Sequence, residues 1–105
     1  MAPLRLCAVS FLNAWPLYQP LLERPPVGED GEPLFVVDEA LPAECARRLA
    51  AGECDVALVP VASYLEHPEW EVVPEVAIAA RGAVQTVVVV SGVPLPEVTT
   101  IHLDA

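Results

Sequence analysis

Residues 41–59, with the sequence LPAECARRLAAGECDVALV, carry the pattern of a helix that leads into a buried strand. Pro42 suits the first helical position, because the N–H that proline lacks has no partner there. Apolar side chains recur at every fourth position: Leu41, Cys45 and Leu49. Gly52 can adopt the left-handed conformation that ends a helix. The run DVALV at 55–59 is almost entirely apolar, which is typical of a parallel strand covered on both faces.

The preceding residues show the same alternation of strand and helix. A short apolar run at 4–9 predicts a strand, and apolar residues at helical intervals predict a helix over 13–23. A loop of proline, glycine and acidic residues follows, and 34–37 predicts the second strand. Strands that alternate with helices form right-handed βαβ units. We therefore expect an α/β fold with a mostly parallel sheet and flanking helices.

The pattern changes after the third strand. Pro60 is expected to open a short helix that runs through Leu65. Three β-branched runs then follow at 72–80, 84–90 and 98–103. They predict three strands with no helices between them.

Composition restricts the classes of partner. The 105 residues are 54% apolar, which excludes a disordered acidic tail and indicates one domain or part of one. Fifteen acidic residues face five arginines and no lysine, giving a net charge of −10. Without a basic patch to neutralise phosphates, we expect neither nucleic acid nor an anionic membrane as a partner.

Targeting and cysteine usage point to the cytoplasm. The apolar run at 6–12 is at the lower limit for a secretion signal and no A-x-A cleavage site follows it, and no apolar run reaches the roughly 18 residues of a membrane span. Cys7, Cys45 and Cys54 form no CxxC pair and have no histidine near them. We predict buried free thiols in a reducing compartment, and no metal site.

Two segments are candidates for a ligand site. Ligands of open α/β sheets bind beyond the carboxyl ends of the strands, where neighbouring connections leave to opposite sides. The segment SFLNAWP at 10–16 follows the first strand, and PVASY at 60–64 follows the third. Each leads into a helix N-terminus, where free N–H groups and the positive end of the helix dipole favour a carboxylate. The sequence therefore predicts a site for a small anion.

Structural roles would explain the same residues. Asn13 is a good N-cap for the helix that follows, and Ser10 can simply bond local backbone. His67 and His102 are predicted to face solvent rather than to act as catalytic bases. The sequence also contains no Ser/His/Asp arrangement, no phosphate-binding glycine loop and no carboxylates paired by spacing. From the residues alone, the chain is an α/β domain with a candidate anion site.

Three blocks resemble the chorismate dehydratase family, which serves the futalosine route to menaquinone. They are VSFLNAWPL at 9–17, GECDVALVPVASY at 52–64 and RGAVQTV at 81–87. The resemblance implies the two-lobed architecture of type II periplasmic solute-binding proteins, in chains more than twice as long. We therefore expect 1–97 to form a first lobe and 98–105 to begin the crossover to a second lobe. Because the cleft needs both lobes, we expect these residues alone to be inactive.

The resemblance also implies an activity. The family's enzymes are hydro-lyases that remove water from chorismate to give 3-[(1-carboxyvinyl)oxy]benzoate, without a metal or organic cofactor. The substrate's own enolpyruvyl carboxylate is thought to act as the base, while the enzyme holds the molecule in a reactive pose. The expected partners are chorismate and a second lobe of the same protein.

Site residues follow from matching positions. Asn13 matches the family's substrate-contacting asparagine, and Thr86 stands where the family commonly has a serine that contacts the substrate. Both are predicted catalytic residues. From their positions after strand ends, we predict that five further residues line the pocket: Ser10, Phe11, Pro60, Val61 and Ala62.

A second function remains open. A non-catalytic solute-binding domain for a small carboxylate would share the fold and resemble the enzyme at its site. The lack of a recognisable export signal counts against it, because solute-binding proteins work outside the cytoplasmic membrane.

Overall fold

A computed structural model describes residues 2–85 and 87–103 of the chain. Its regular elements alternate in chain order: β1 Leu4–Val9, α1 Trp15–Glu23, β2 Phe35–Ala40, α2 Pro42–Ala50, β3 Val56–Ala57 and α3 Val61–Glu66. The three strands form one parallel sheet in the order β2-β1-β3. The α/β class and the parallel sheet are thus confirmed.

The helices α1 and α2 cover opposite faces of the sheet. Neighbouring residues of a strand point to opposite faces, and in β2 the two neighbours Asp38 and Glu39 contact different helices. Glu39 accepts a hydrogen bond from Tyr18 of α1, whereas Asp38 lies 4.0 Å from the guanidinium of Arg48 of α2. Connections on both faces fit a doubly wound sheet, whose switch point lies between β1 and β3.

A small core surrounds the central strand β1. The buried residues are Cys7, Ala8, Val9, Ala14, Tyr18, Cys45 and Cys54. Most of them have small side chains, so the helices can approach the sheet closely. Cys45 of α2 is fully buried against β1, where its sulfur lies 3.3 Å from that of Cys7. The three cysteines are free and buried, as predicted.

Helix α2 forms as the sequence predicts. Pro42 occupies its first turn, and Gly52 has a φ of +71° just after its end. Arg47 binds two carboxylates, Glu44 at 2.8 Å and Glu53 at 2.9 Å. Hydrogen bonds from Arg47 and then from Arg48 lower the pKa of Glu44 to about 2.

An ion pair fastens the short strand β3 to β1. Asp55 accepts hydrogen bonds from the backbone N–H of Arg5 at 2.8 Å and from its guanidinium at 2.9 and 3.1 Å. The same guanidinium donates to the Gly52 carbonyl at 3.1 Å. These hydrogen bonds lower the pKa of Asp55 from 3.8 to about 2. The pair therefore holds β3, only two residues long, in register at its amino end.

The three strands predicted after residue 71 are wrong for the part of the chain that the structure describes. Residues 72–85 and 87–103 contain no strand there, and their regular structure is limited to the 3-10 turn Leu95–Glu97. Their side chains are nearly all exposed, including that of Val90 at 87%. The radius of gyration is accordingly 17.4 Å, against about 13 Å for a compact domain of this size. β-branched residues favour a strand only where a partner strand and a covered face exist.

No helix within the described residues is long and apolar enough to span a membrane.

Amide hydrogen exchange tests whether residues 72–80 lie outside the sheet. Amides of β1 are hydrogen-bonded to strands on both sides, so we expect slow exchange there. Amides of 72–80, which lie outside helices and strands, should exchange within seconds to minutes. Protection of 72–80 comparable to that of β1 would restore the strand prediction.

The Arg5–Asp55 pair predicts an acid-sensitive stability. A pKa lowered in the folded state means that the unfolded chain binds the proton more readily, so this contribution is present above pH 3.8 and is lost as the pH falls towards about 2. We expect Asp55→Asn to be less stable than wild type at pH 7. Between pH 3.8 and about pH 2, its free energy of unfolding should fall less than that of wild type. Urea unfolding at several pH values measures both effects.

Glu71→Gln is the matched control, because it removes the same charge from an exposed side chain that has no ion pair among the described residues. It should keep the wild-type pH dependence. An Asp55→Asn variant as acid-sensitive as Glu71→Gln would contradict the assignment.

Candidate functional site

The carboxyl ends of β1 and β3 lie side by side at one edge of the sheet. The register pairs Leu6 with Val56 and Cys7 with Ala57, and the Leu58 N–H continues the ladder by donating to the Cys7 carbonyl at 3.0 Å. The segments that follow the two strands therefore leave the same edge, next to the switch point. The structure thus places Ser10, Phe11 and Asn13 on the same edge as Pro60, Val61 and Ala62.

Ser10 is committed to the sheet. Its N–H donates to the Ala40 carbonyl at 3.1 Å, and its hydroxyl donates to the same oxygen at 3.4 Å. These bonds tie the carboxyl end of β1 to that of β2. The structural alternative for Ser10, a bond to backbone, is therefore what the structure shows.

The N-cap prediction for Asn13 is wrong. Helix α1 begins after two tight turns, in which Ala14 N–H donates to the Phe11 carbonyl at 3.0 Å and Trp15 N–H donates to the Leu12 carbonyl at 3.2 Å. Ala14 is the N-cap, with helical backbone angles (φ −86°, ψ −22°) and no side-chain cap. A capping side chain needs an extended backbone and an unbonded N–H ahead of it.

The N–H groups that were expected to be free at the start of α1 are not available to a ligand, because they are already hydrogen-bonded or absent. Residue 16 is proline, and the Leu17 N–H donates to the Ala14 carbonyl at 2.9 Å. Within the described residues, the Asn13 side chain is exposed and forms no hydrogen bond. Its amide is therefore available to a ligand.

The turn before α3 offers backbone donors at the same edge. Pro60, Val61 and Ala62 are exposed, and the Ser63 N–H already donates to the Pro60 carbonyl at 3.0 Å. The N–H groups of Val61 and Ala62 have no protein acceptor among the described residues. They can therefore donate to a ligand.

Exposed apolar side chains accompany these donors. Phe11 is 45% exposed, Trp15 44% and Val61 78%. Binding sites for small molecules combine such apolar surface with a few fixed polar groups. The edge has this composition, although it is open to solvent.

A buried tyrosine fixes the helix that carries this surface, and the sequence reasoning did not identify it. The Tyr18 hydroxyl donates to Glu39 of β2, and its ring meets Trp15 edge to face with 5.5 Å between centroids. The hydrogen bond to Glu39 and then burial raise the pKa of Tyr18 to about 12, so the hydroxyl stays protonated. The three-residue spacing of the two aromatic residues on one helix was the available signal.

Three of the five arginines are engaged in ion pairs away from this edge. They are Arg5, Arg47 and Arg48, each paired with a carboxylate. His67 lies after the last turn of α3, where it contacts Glu69 at 2.9 Å and stacks on Trp70 at 4.3 Å. Exposed His102 lies in the segment without strands. Among the described residues, neither histidine is bonded to the edge, and no group of three or more ligating side chains could hold a metal ion.

Thr86 lies outside the described residues, so its place in a site stays a prediction.

A depression of about 350 Å³ is lined by residues of the loop before β2, Gly28–Asp30 and Glu32–Leu34. It lies at the amino end of the strands and carries three acidic side chains, so it does not suit an anion.

Fold and site together define an α/β lobe with a candidate binding edge of amide donors and apolar side chains at its switch point. The chain belongs to a family described as menaquinone biosynthesis, whose sequence model matches residues 4–105. Membership of this family supports the resemblance found in the sequence. Neither the curated proteins nor the solved structures gave a significant match.

Replacing Asn13 tests whether its side chain has a structural task. Because Ala14 is the N-cap, we expect Asn13→Ala to change the free energy of unfolding by less than about 0.5 kcal/mol. If Asn13 were the N-cap, its replacement by alanine would instead lower the free energy of unfolding by about 1 kcal/mol. Urea unfolding distinguishes the two.

Tyr18→Phe is the positive control, since it removes the buried hydroxyl that donates to Glu39. We expect it to lower the melting temperature by about 5 °C. A larger loss of stability in Asn13→Ala than in Tyr18→Phe, measured in the same urea unfolding experiment, would contradict our account of the start of α1.

Proposed function

We propose that the chain contributes the first lobe of a chorismate dehydratase, a hydro-lyase of the futalosine route to menaquinone. Membership of the menaquinone biosynthesis family supports the pathway. The observation that supports this reaction is the position and the unbonded side chain of Asn13. This asparagine matches the family's substrate-contacting residue, lies at the switch-point edge and forms no hydrogen bond within the described residues.

The proposed reaction needs orientation more than a titrating side chain. Chorismate loses its ring hydroxyl and a ring proton as water, and its ring becomes the aromatic ring of 3-[(1-carboxyvinyl)oxy]benzoate. In the proposed mechanism the enolpyruvyl carboxylate of the substrate takes the proton. An enzyme of this kind contributes by holding one conformer, which can supply several kcal/mol.

Neutral donors would hold the two carboxylates of the substrate. The Asn13 amide and the N–H groups of Val61 and Ala62 are available at this edge. Hydrogen bonds from neutral donors to an ionised acceptor are stronger than bonds between neutral groups. They do not require arginine at the site, which agrees with the use of Arg5, Arg47 and Arg48 elsewhere.

Apolar side chains would form one wall of the cleft. Phe11, Trp15 and Val61 expose surface on which the flat product ring can pack. This edge is open, so a second lobe must cover it to exclude water from the reacting carboxylate. We propose that activity belongs to the two lobes together, and that residues 1–105 alone do not turn over chorismate.

The test is conversion of chorismate by a protein that joins these residues to the second lobe. Chromatography would follow the disappearance of chorismate and the appearance of the benzoate ether. Asn13→Ala should lower kcat about 100-fold, as removal of a single positioned donor does in other enzymes. Its stability should stay at the wild-type level.

Gln19→Ala is the matched control, because it removes an amide side chain from the second turn of α1, at a position that no prediction places in the site. Its turnover should equal that of wild type. Unchanged turnover in Asn13→Ala would remove Asn13 from the site, and no turnover by the folded wild-type protein that contains both lobes would overturn the reaction.

The solute-binding alternative gives a different result. A binding protein would be stabilised by a small carboxylate in a thermal-shift panel, without stabilisation by chorismate and without turnover. Stabilisation by chorismate together with product formation supports the dehydratase.

A further inference from the structure

We propose that Cys7 and Cys45 form a redox-sensitive dithiol, which a peroxide converts into a disulfide joining β1 to α2. Their sulfur atoms are 3.3 Å apart. A disulfide bond is about 2.0 Å long, so a movement of little more than 1 Å closes it. The proposal does not depend on the proposed function.

Burial alone does not account for this arrangement. A buried cysteine commonly serves as a small apolar side chain, as Cys54 does at 7% exposure. Cys54 forms no hydrogen bond to the other thiols among the described residues, whereas Cys7 and Cys45 contact each other directly through sulfur. Because the two thiols are in contact, a sulfenic acid formed on one of them can be attacked by the other without a partner molecule.

The reaction with a peroxide balances without any further reactant. One thiol, as its thiolate, attacks a peroxide oxygen and becomes a sulfenic acid, while the other peroxide oxygen leaves as water. The second thiol then attacks this sulfur, and the S–S bond forms as the second water leaves. Hydrogen peroxide accepts the two electrons that the two cysteines lose.

Burial controls the rate of this reaction. Burial, and then the hydrogen bond with Cys7, raise the pKa of Cys45 to about 12, so its reactive thiolate is rare in the closed fold. Oxidation therefore proceeds when α2 opens from the sheet. The pair responds to sustained oxidation or to partial unfolding, and brief exposure leaves it reduced.

The cross-link would lock the part of the lobe that carries the site. Cys7 lies in β1, which leads into the loop that contains Asn13, and Cys45 lies in the covering helix α2. Closing a loop of this length constrains the unfolded chain. We expect the oxidised protein to melt about 10 °C higher than the reduced protein, and dithiothreitol to reverse the change.

Peptide mapping tests the pairing directly. The protein is treated with hydrogen peroxide, quenched, unfolded, alkylated with iodoacetamide and cleaved after glutamate. This cleavage places the three cysteines in separate peptides, 1–23, 45–53 and 54–66. We expect one alkylated cysteine, Cys54, and a disulfide that links 1–23 to 45–53. Oxidation should accelerate in urea below the unfolding transition.

Three results would overturn the proposal: alkylation of all three cysteines after prolonged treatment, a disulfide that involves Cys54, or disulfide-linked dimers. Cys54→Ala is the control variant, and it should form the same cross-link and show the same rise in melting temperature on oxidation. The melting temperature of Cys45→Ala should not rise on oxidation. If Cys45→Ala does not fold, the map of the wild-type protein still decides.

Discussion

The central position of β1 is the constraint on which the rest of the molecule depends. It pairs with β2 over six residues and with β3 over two, so the position of every other element is set relative to it. Because β3 contributes so few ladder hydrogen bonds, the Arg5–Asp55 pair and the Leu58 N–H supply the additional attachment at its two ends. The edge with the candidate site exists only while β3 keeps this register.

The local structure at the end of β1 determines which side chains a ligand can meet. Ser10 uses its hydroxyl to join β1 to β2, whereas two tight turns satisfy the first N–H groups of α1 without help from Asn13. The one amide side chain of this loop is therefore left over by the fold. An exposed amide with no partner in the fold can donate to a ligand, which is what the proposed role of Asn13 requires.

Sequence reasoning succeeded where a local signal and its tertiary partner agree. Pro42 and Gly52 mark the bounds of α2, and the apolar residues between them meet β1. Two predictions failed for lack of such agreement. Asn13 has the chemistry of an N-cap, but the backbone turns decide where the helix begins. The runs at 72–80 and 98–103 and the described part of 84–90 have strand propensity, yet no strand of the described sheet pairs with them. Pairing between distant segments is not encoded in local composition.

In this lobe, charged side chains stabilise the fold, whereas neutral donors are the groups available to bind a ligand. Arg5, Arg47 and Arg48 are held by carboxylates of the scaffold, and the chain as a whole carries a net charge of −10. Long-range attraction therefore does not bring an anion to this surface. A dicarboxylate would be bound only at short range, by oriented amide donors in a cleft from which water is excluded, and such donors gain strength as the surroundings become less polar. The open edge has the donors without the enclosure, so closure by a second surface would strengthen the hydrogen bonds and shield them from the acidic remainder of the lobe.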